Sequence, residues 1–308
     1  MDNTIDAVLP EECIAAIISL TSPPDACRYS LLSRIFRSAA AWDLVWEGFL
    51  PPDYQQIISQ SESSVSSLLN VLPKKDLYFH LCRNPILIGN GNMSFSIDKS
   101  SGKKCYMLGA RQLFVIWGDN TLYWKWVSSA ESPVLAQSRS LSTALYACVH
   151  MHACLSFLYI AIVGVTFLVY EMCRFSEVAH LIQVCWFHMG GRFETKILSP
   201  NTKYGAYFVY TLVEDHFSGL DYPVKVSIEF ENENEGNATN EAYLLPDTPE
   251  GLNAQVPRWR EDMWLEVEIG EFFNGQVDRV VKMQLRETEV LNWKSGLVVH
   301  GIELRPKE

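Results

Sequence analysis

The chain has 308 residues, 48% of them apolar, enough to bury a sizeable core in one large domain or in a small and a medium one. Its net charge of −11, with no compensating basic stripe, excludes recognition of a phosphate backbone, so no nucleic-acid partner is expected. None of the eight cysteines forms a C-x-x-C pair, which removes support for a structural zinc or a redox motif, and the polar start MDNTIDAVLPEE is no signal peptide. Reduced thiols in a cytoplasmic or nuclear protein are the natural reading.

Residues 9–50 read as short helices. Pro10 suits a first helical turn, where its missing N–H costs nothing, and Ile14, Ile17 and Ile18 recur at helical spacing. The run 21–25 breaks that helix, with Ser22 or Asp25 placed to cap the next. Leu31, Leu32, Ile35 and Phe36 repeat the helical spacing, and Pro51-Pro52 ends the unit. The serine-rich stretch 59–67 is expected to be a linker, and 68–81 a helix joining two domains, so that 53–92 forms the connection.

From residue 93 onward the pattern turns to short strands, at 93–97, 104–108, 114–117 and 123–127, then at 182–189, 193–197, 204–213, 224–230, 241–245, 264–269, 280–286 and 296–304. In 204–212, Tyr204, Ala206, Phe208, Tyr210 and Leu212 share one face at period two. Gly190-Gly191 reads as a hairpin turn, and 231–240 as a polar loop. Many short strands between turn clusters mean a sandwich or barrel. The expected class is therefore α+β and multidomain: a small all-α N-terminal unit, then an antiparallel β-sandwich, interrupted by an apolar, helical insertion at 134–173.

Residues 9–50 resemble a plant F-box in four ordered blocks: Leu9-Pro10-Glu11-Glu12-Cys13-Ile14, Ser22 to Cys27, Phe36 to Ala40, and Val45 to Pro51. The resemblance implies a module, 1–52, that docks on the Skp adaptor of a Skp–cullin–F-box ubiquitin ligase, through Leu9, Pro10, Ile14 and Ile17 with Leu31 and Trp46 nearby. A unit of some forty residues is small for a private core, which suits a partner-covered face. The competing reading is an ordinary helical cap of the β domain.

Residues 111–307 resemble the phloem protein 2 family of plant lectins. The matching blocks include Ile116-Trp117-Gly118, Tyr123-Trp124-Lys125-Trp126, Phe175 to Ala179, Val184-Cys185-Trp186, Leu198 to Thr202, Glu261 to Val267, Gly270 to Asn274 and Trp293 to Leu297. Members bind glycans, and the resemblance implies carbohydrate-binding roles for Trp117, Trp124 and Glu287; a second acidic position of the family falls on Val280 here. Aromatic faces stack on sugar C–H surfaces and carboxylates take sugar hydroxyls. Sandwich core is the competing reading for both tryptophans. A lectin domain at 93–308 joined to an F-box implies a non-catalytic substrate-recognition subunit, bound to the adaptor and through it to cullin, with a target protein or glycoprotein glycan on the sandwich. The alternative is a cytosolic or nuclear stress lectin uncoupled from any ligase.

Catalytic readings find no support. His150-x-His152 supplies only two ligands, Glu266 and Glu268 suit a solvated strand face, and no phosphate loop or nucleophile–base set occurs, so neither metal nor cofactor is expected. The remaining anomaly is 134–173, which carries an 18-residue uncharged run at 153–170. A membrane span there would divide one packed domain across a bilayer, so no membrane partner is expected. A helical insertion lying on the sandwich and translated intron between two intact family blocks are the other readings, and the second is preferred.

Overall fold

The computed structural model describes residues 9–128, 174–213, 216–231, 238–246 and 254–307. The N-terminal helices begin with α1 (Glu11–Ser19), whose Glu11 and Glu12 sit in the first turn against the positive end of the helix dipole. Ile14, Ala15 and Ile18 are buried, while Cys13, Ile17 and Leu20 form an exposed stripe at i, i+4, i+7. In α2 (Pro23–Tyr29) the Ser22 hydroxyl caps the first turn by accepting from the Asp25 N–H, and Ser33 does the same for α3 (Arg34–Ala39) through Phe36. Helix α4 (Asp43–Phe49) runs parallel to α1. The Trp42 indole N–H donates to the Glu11 carboxylate at one end (2.7 Å), and a Cβ on Gly48 would lie 3.5 Å from the Ser19 carbonyl at the other.

The stretch expected to be a linker is helical. Helices α5 (Tyr54–Ser59), α6 (Ser63–Asn70) and α7 (Lys74–Arg83) follow, with Pro73 separating α6 from α7 where one helix was expected. Serines compete poorly with the helix here because Ser66 and Ser67 turn their hydroxyls back onto the Ser63 carbonyl, while Leu69 is buried. Helix α7 is the joint. Its Tyr78 ring packs 5.2 Å from the Trp46 ring, and its hydroxyl donates to the carbonyls of Asp98 and Lys99. One buried cluster runs without a break from Ile14 to Leu304.

The remaining chain forms two antiparallel sheets. The larger contains β1 (Ile86–Ile88), β2 (Met93–Ile97), β3 (Lys104–Gly109), β5 (Trp124–Ser128), β6 (Glu177–Leu181), β8 (Thr202–Leu212), β11 (Arg258–Trp259), β12 (Leu265–Asn274) and β14 (Leu297–Pro306). The smaller has β4 (Phe114–Val115), β7 (Phe187–Glu194), β9 (Val224–Phe230), β10 (Ala238–Ala242) and β13 (Val280–Glu287), in the order β10-β9-β13-β7-β4. They pack face to face, with Tyr106 against Phe193 at 5.5 Å and Phe230 edge-on to Phe272 at 5.9 Å. One edge of β14 pairs with β8; the other is shared by β6, at Val298 and Val299, and β3, at Gly301 to Leu304. A bulge between Val299 and Gly301 marks the change and turns His300 into a second, smaller core with Trp264.

Gly190-Gly191 is not a turn. Both glycines lie in the middle of β7, where a Cβ on Gly190 would stand 2.1 Å from the Met283 carbonyl oxygen and one on Gly191 2.9 Å from Leu108. The pair lets neighbouring strands and the facing sheet approach closely.

Strand β8 spans the sandwich. Near its start the Tyr204 hydroxyl donates to the Lys104 carbonyl, and the buried Lys104 ammonium reaches Asp53 (2.7 Å) and the Ile197 carbonyl (3.0 Å). Gly102, at φ 70°, lies so close to Phe49 that a Cβ would stand 2.2 Å from its carbonyl oxygen. The helices therefore seat at this end. The eleven residues of β8 carry the chain about 30 Å to the other end, where Leu212 pairs with Leu297.

Candidate functional site at the loop end of the sandwich

Four loops meet at the end remote from the helices. The 116–123 loop follows β4, and 182–186, 216–223 and 288–296 flank it. They are stitched by backbone hydrogen bonds: Ile116 N–H to the His188 carbonyl, Ile182 N–H to that of Tyr123, Val184 and Lys294 reciprocally at 2.9 and 2.7 Å, and Ser218 with Ser295. Six large apolar side chains are exposed there, Trp117, Leu122, Trp186, Phe217, Tyr222 and Trp293, among polar ones that include Asp119, Asn120, Gln183, Asp221 and Glu289.

Trp117 heads the first loop at φ 59°, an uncommon conformation for a bulky side chain. The β5 tryptophans hold it there. The Trp124 indole N–H donates to the Ile116 carbonyl and that of Trp126 to the Gly118 carbonyl, both at 3.1 Å. Trp124 itself is buried, so it supports the Trp117 loop from beneath and presents no face to a ligand. The Arg111 guanidinium lies 3.8 Å over the Trp126 ring and makes a two-pronged bond to Glu177.

Glu287 is likewise buried. Its carboxylate pairs with the Lys294 ammonium and accepts from the N–H groups of Glu289 (2.9 Å) and Val290 (2.7 Å). Burial pushes its pKa up, but the Lys294 bond and the two backbone donors outweigh it and hold the carboxyl below its ordinary value. Lys294 also donates to the carbonyls of Cys185, Val290 and Asn292 and to the Asn292 side chain. One buried ion pair thus fastens the Trp186 loop to the Trp293 loop. Beside it, a cleft of about 190 Å³ is lined by Tyr222, Lys225, Glu241, Arg286 and Glu289. Val280 stands at the opposite end of β13 from Glu287, so its missing carboxylate does not touch this rim.

Of the expected carbohydrate-binding residues, then, Trp117 alone is exposed; Trp124 supports its loop, and Glu287 fastens the neighbouring Trp186 and Trp293 loops through Lys294. Trp186, Trp293, Phe217 and Tyr222 were not singled out. Their signal was an aromatic beside short polar turn residues such as Gln183 and Asn292.

Among the expected docking residues of the helical unit, Leu9, Pro10, Ile17 and Leu31 are exposed. Ile14 and Trp46 are buried and cannot meet a partner while the unit is folded. Trp46 donates to the Ala40 carbonyl at 2.8 Å and packs on Phe49 and on Phe79 of α7. Leu20, Leu32 and Leu44 join the exposed apolar set.

A helical module with exposed apolar side chains, fused to a β-sandwich with an aromatic rim, is the architecture to be matched. The F-box domain model matches residues 8–48, and the phloem protein 2 model matches 103–144 and 168–306. The chain belongs to the F-box proteins of the phloem protein 2 family. It is 38% identical to the putative F-box protein PP2-B12 of Arabidopsis thaliana, over 97% of both chains, and 35% identical to F-box protein PP2-B10 of the same plant, over 96% of this chain and 92% of that one. F-box protein At2g02240, also from Arabidopsis thaliana, is 36% identical over 97% of this chain and 79% of its own length. A solved xylan-binding domain from Paenibacillus barcinonensis aligns at a TM-score of 0.24 and 12% identity, over 42% of this chain and 72% of that one.

Proposed function

We propose that this chain is the substrate receptor of a Skp–cullin–F-box ubiquitin ligase, in the cytoplasm or nucleus, with the target held at the aromatic rim. The observation that supports the reading is that two sets of exposed apolar side chains, one on the helices and one on the loops remote from them, flank one continuous core. The F-box match implies a Skp-type adaptor at the helical end. Exposed tryptophans on pinned loops suit a neutral sugar at the other, stacking on its C–H faces while loop amides and carbonyls take hydroxyls. The chain holds and presents; the bond to ubiquitin is made by the recruited conjugating enzyme, and proximity is this subunit's contribution.

The test is a glycan array probed with the chain alone and with the chain bound to a plant Skp-type adaptor. Equal glycan signal from both, lost on Trp117→Ala with Trp293→Ala, is expected. An adaptor that displaces the glycan contradicts the two-ended arrangement. A wild-type chain that binds adaptor but no glycan moves the ligand class to protein.

A further inference from the structure

We infer that the joint between the helices and the sandwich holds a binding site for a small amphipathic anion, an apolar body carrying one carboxylate, separate from the aromatic rim. A cavity of about 570 Å³ opens where α2 and α7 meet the turn between β2 and β3. That volume suits a small organic molecule, and pockets of this size favour the seams between structural units. Pro23, Pro24 and Cys27 come from the stretch that matches the F-box model, whereas Asp98 and Lys99 come from the sandwich, so neither unit forms the site alone.

The floor is apolar. Pro23 and Pro24 occupy the first turn of α2, and the Cys27 thiol and the Phe79 ring of α7 are only half-buried. Two proline rings, a thiol and a phenyl ring offer water few hydrogen bonds, so an apolar group displaces it favourably.

The walls supply the charge. Arg83, one helical turn beyond Phe79, holds its guanidinium 5.6 Å over that ring. Lys99 lines the cavity from the turn, which the Tyr78 hydroxyl ties to α7 by donating to the Lys99 carbonyl at 3.1 Å. Neither cation has an ion-pair partner among the described residues. The anions nearby are already committed. One oxygen of Asp98 accepts from the N–H and O–H groups of both Ser100 and Ser101, and Asp25 pairs with Arg28. The neighbouring Cys82 thiol registers the convergence: burial and Asp98 push it up to about 12, against the pull of Lys99, the Tyr78 hydrogen bond and Arg83. Two cations and one carboxylate leave the cavity a single net positive charge, which suits a monoanion, whereas a dianion would be repelled by Asp98.

The test uses the full chain and two probes of one apolar shape, anilinonaphthalene sulfonate, whose sulfonate stands in for the carboxylate, and the uncharged phenylnaphthylamine. Each is titrated by fluorescence, and occupancy of the cavity is read separately as protection of Cys27 from iodoacetamide, followed by peptide mass spectrometry. Saturating sulfonate probe should slow Cys27 alkylation about tenfold. Arg83→Gln with Lys99→Gln should weaken the sulfonate probe about fivefold or more and leave the uncharged probe within about twofold. Both positions are exposed, and thermal unfolding controls for the fold. Cys27 alkylated at the same rate with and without the sulfonate probe overturns the site. Equal effects of the glutamine pair on both probes, or none on either, overturn its preference for an anion. Binding lost only in Trp117→Ala with Trp293→Ala, with Cys27 unprotected, gives the probe to the rim and overturns the inference.

Discussion

At the scale of single residues, the most demanding position is His300. It is fully buried, stacked 4.3 Å from Trp264 and edge-on to Phe175. Its Nε2 accepts from the Arg174 N–H at 3.2 Å, and its Nδ1 has no hydrogen-bond partner among the described residues. Burial, helped by the nearby Arg174 and Arg260 and opposed by Glu303, drives its pKa well below the ordinary histidine value. Folded protein therefore keeps His300 neutral, whereas the unfolded chain protonates it below about pH 6.5. Stability is full above that pH and falls as pH drops, by up to about 1.4 kcal/mol per unit. Glu303 acts in the same direction lower on the scale. Its burial raises the carboxyl pKa, but Arg174, Arg260 and Arg305 override that and hold it far below normal, so its contribution starts to fall as pH drops below the ordinary carboxylate range and is fully lost only under strong acid. His300→Phe keeps the stack on Trp264 and should flatten the fall in Tm between pH 6.5 and 5; an unchanged slope would show that another group governs it.

At the scale of elements, the hairpin of β5 and β6 settles what the insertion can be. Ser128 and Glu177 are antiparallel partners, so the chain leaves and re-enters the sheet at one place. A single membrane crossing between them is impossible, and among the described residues no helix is long and apolar enough to cross. The run 153–170 itself lies outside the described residues. The phloem protein 2 model matches up to residue 144 and again from 168, so its interruption, 145–167, is narrower than the 134–173 that composition suggests. Removing 145–167 should leave the hairpin closed: halving such a loop changes its closure free energy by only about 0.6 kcal/mol. A deletion variant with unchanged cooperative unfolding and equal or higher yield of folded protein is expected. Loss of the unfolding transition would make the segment part of the fold.

The same scale shows what could be read from sequence. Short strand-like runs between turn clusters located β2, β3, β8, β9, β13 and β14 closely; the period-two face was read only in 204–212, and β3 and most of β14 are buried on both faces and show no such alternation. They missed the meaning of Gly190-Gly191, which is set by Met283 and Leu108, residues far away in the chain. The site was legible in part for the same reason. The family resemblance marked Trp117, Trp124 and Glu287, but which tryptophan faces water depends on the Trp124 bond to Ile116, and the role of Glu287 depends on Lys294. The serine run hid α6 because serine reads as linker unless its hydroxyls can be seen folding back.

At the scale of the molecule, the helices and sandwich form a single lever. The Lys104–Asp53 pair, the Gly102–Phe49 contact and the α7 joint leave no free linker between them. Under the proposed function, a target at the rim would be held at a set distance and bearing from the adaptor, as a ligase needs in order to present lysines to its partner enzyme. The most direct test is hydrogen exchange of the full chain with and without a Skp-type adaptor. The account predicts slowed exchange in α1, the turn between α2 and α3, and α4, with no change in the loops at 116–123, 182–186 and 288–296. Protection of those loops, or none in the helices, would contradict it.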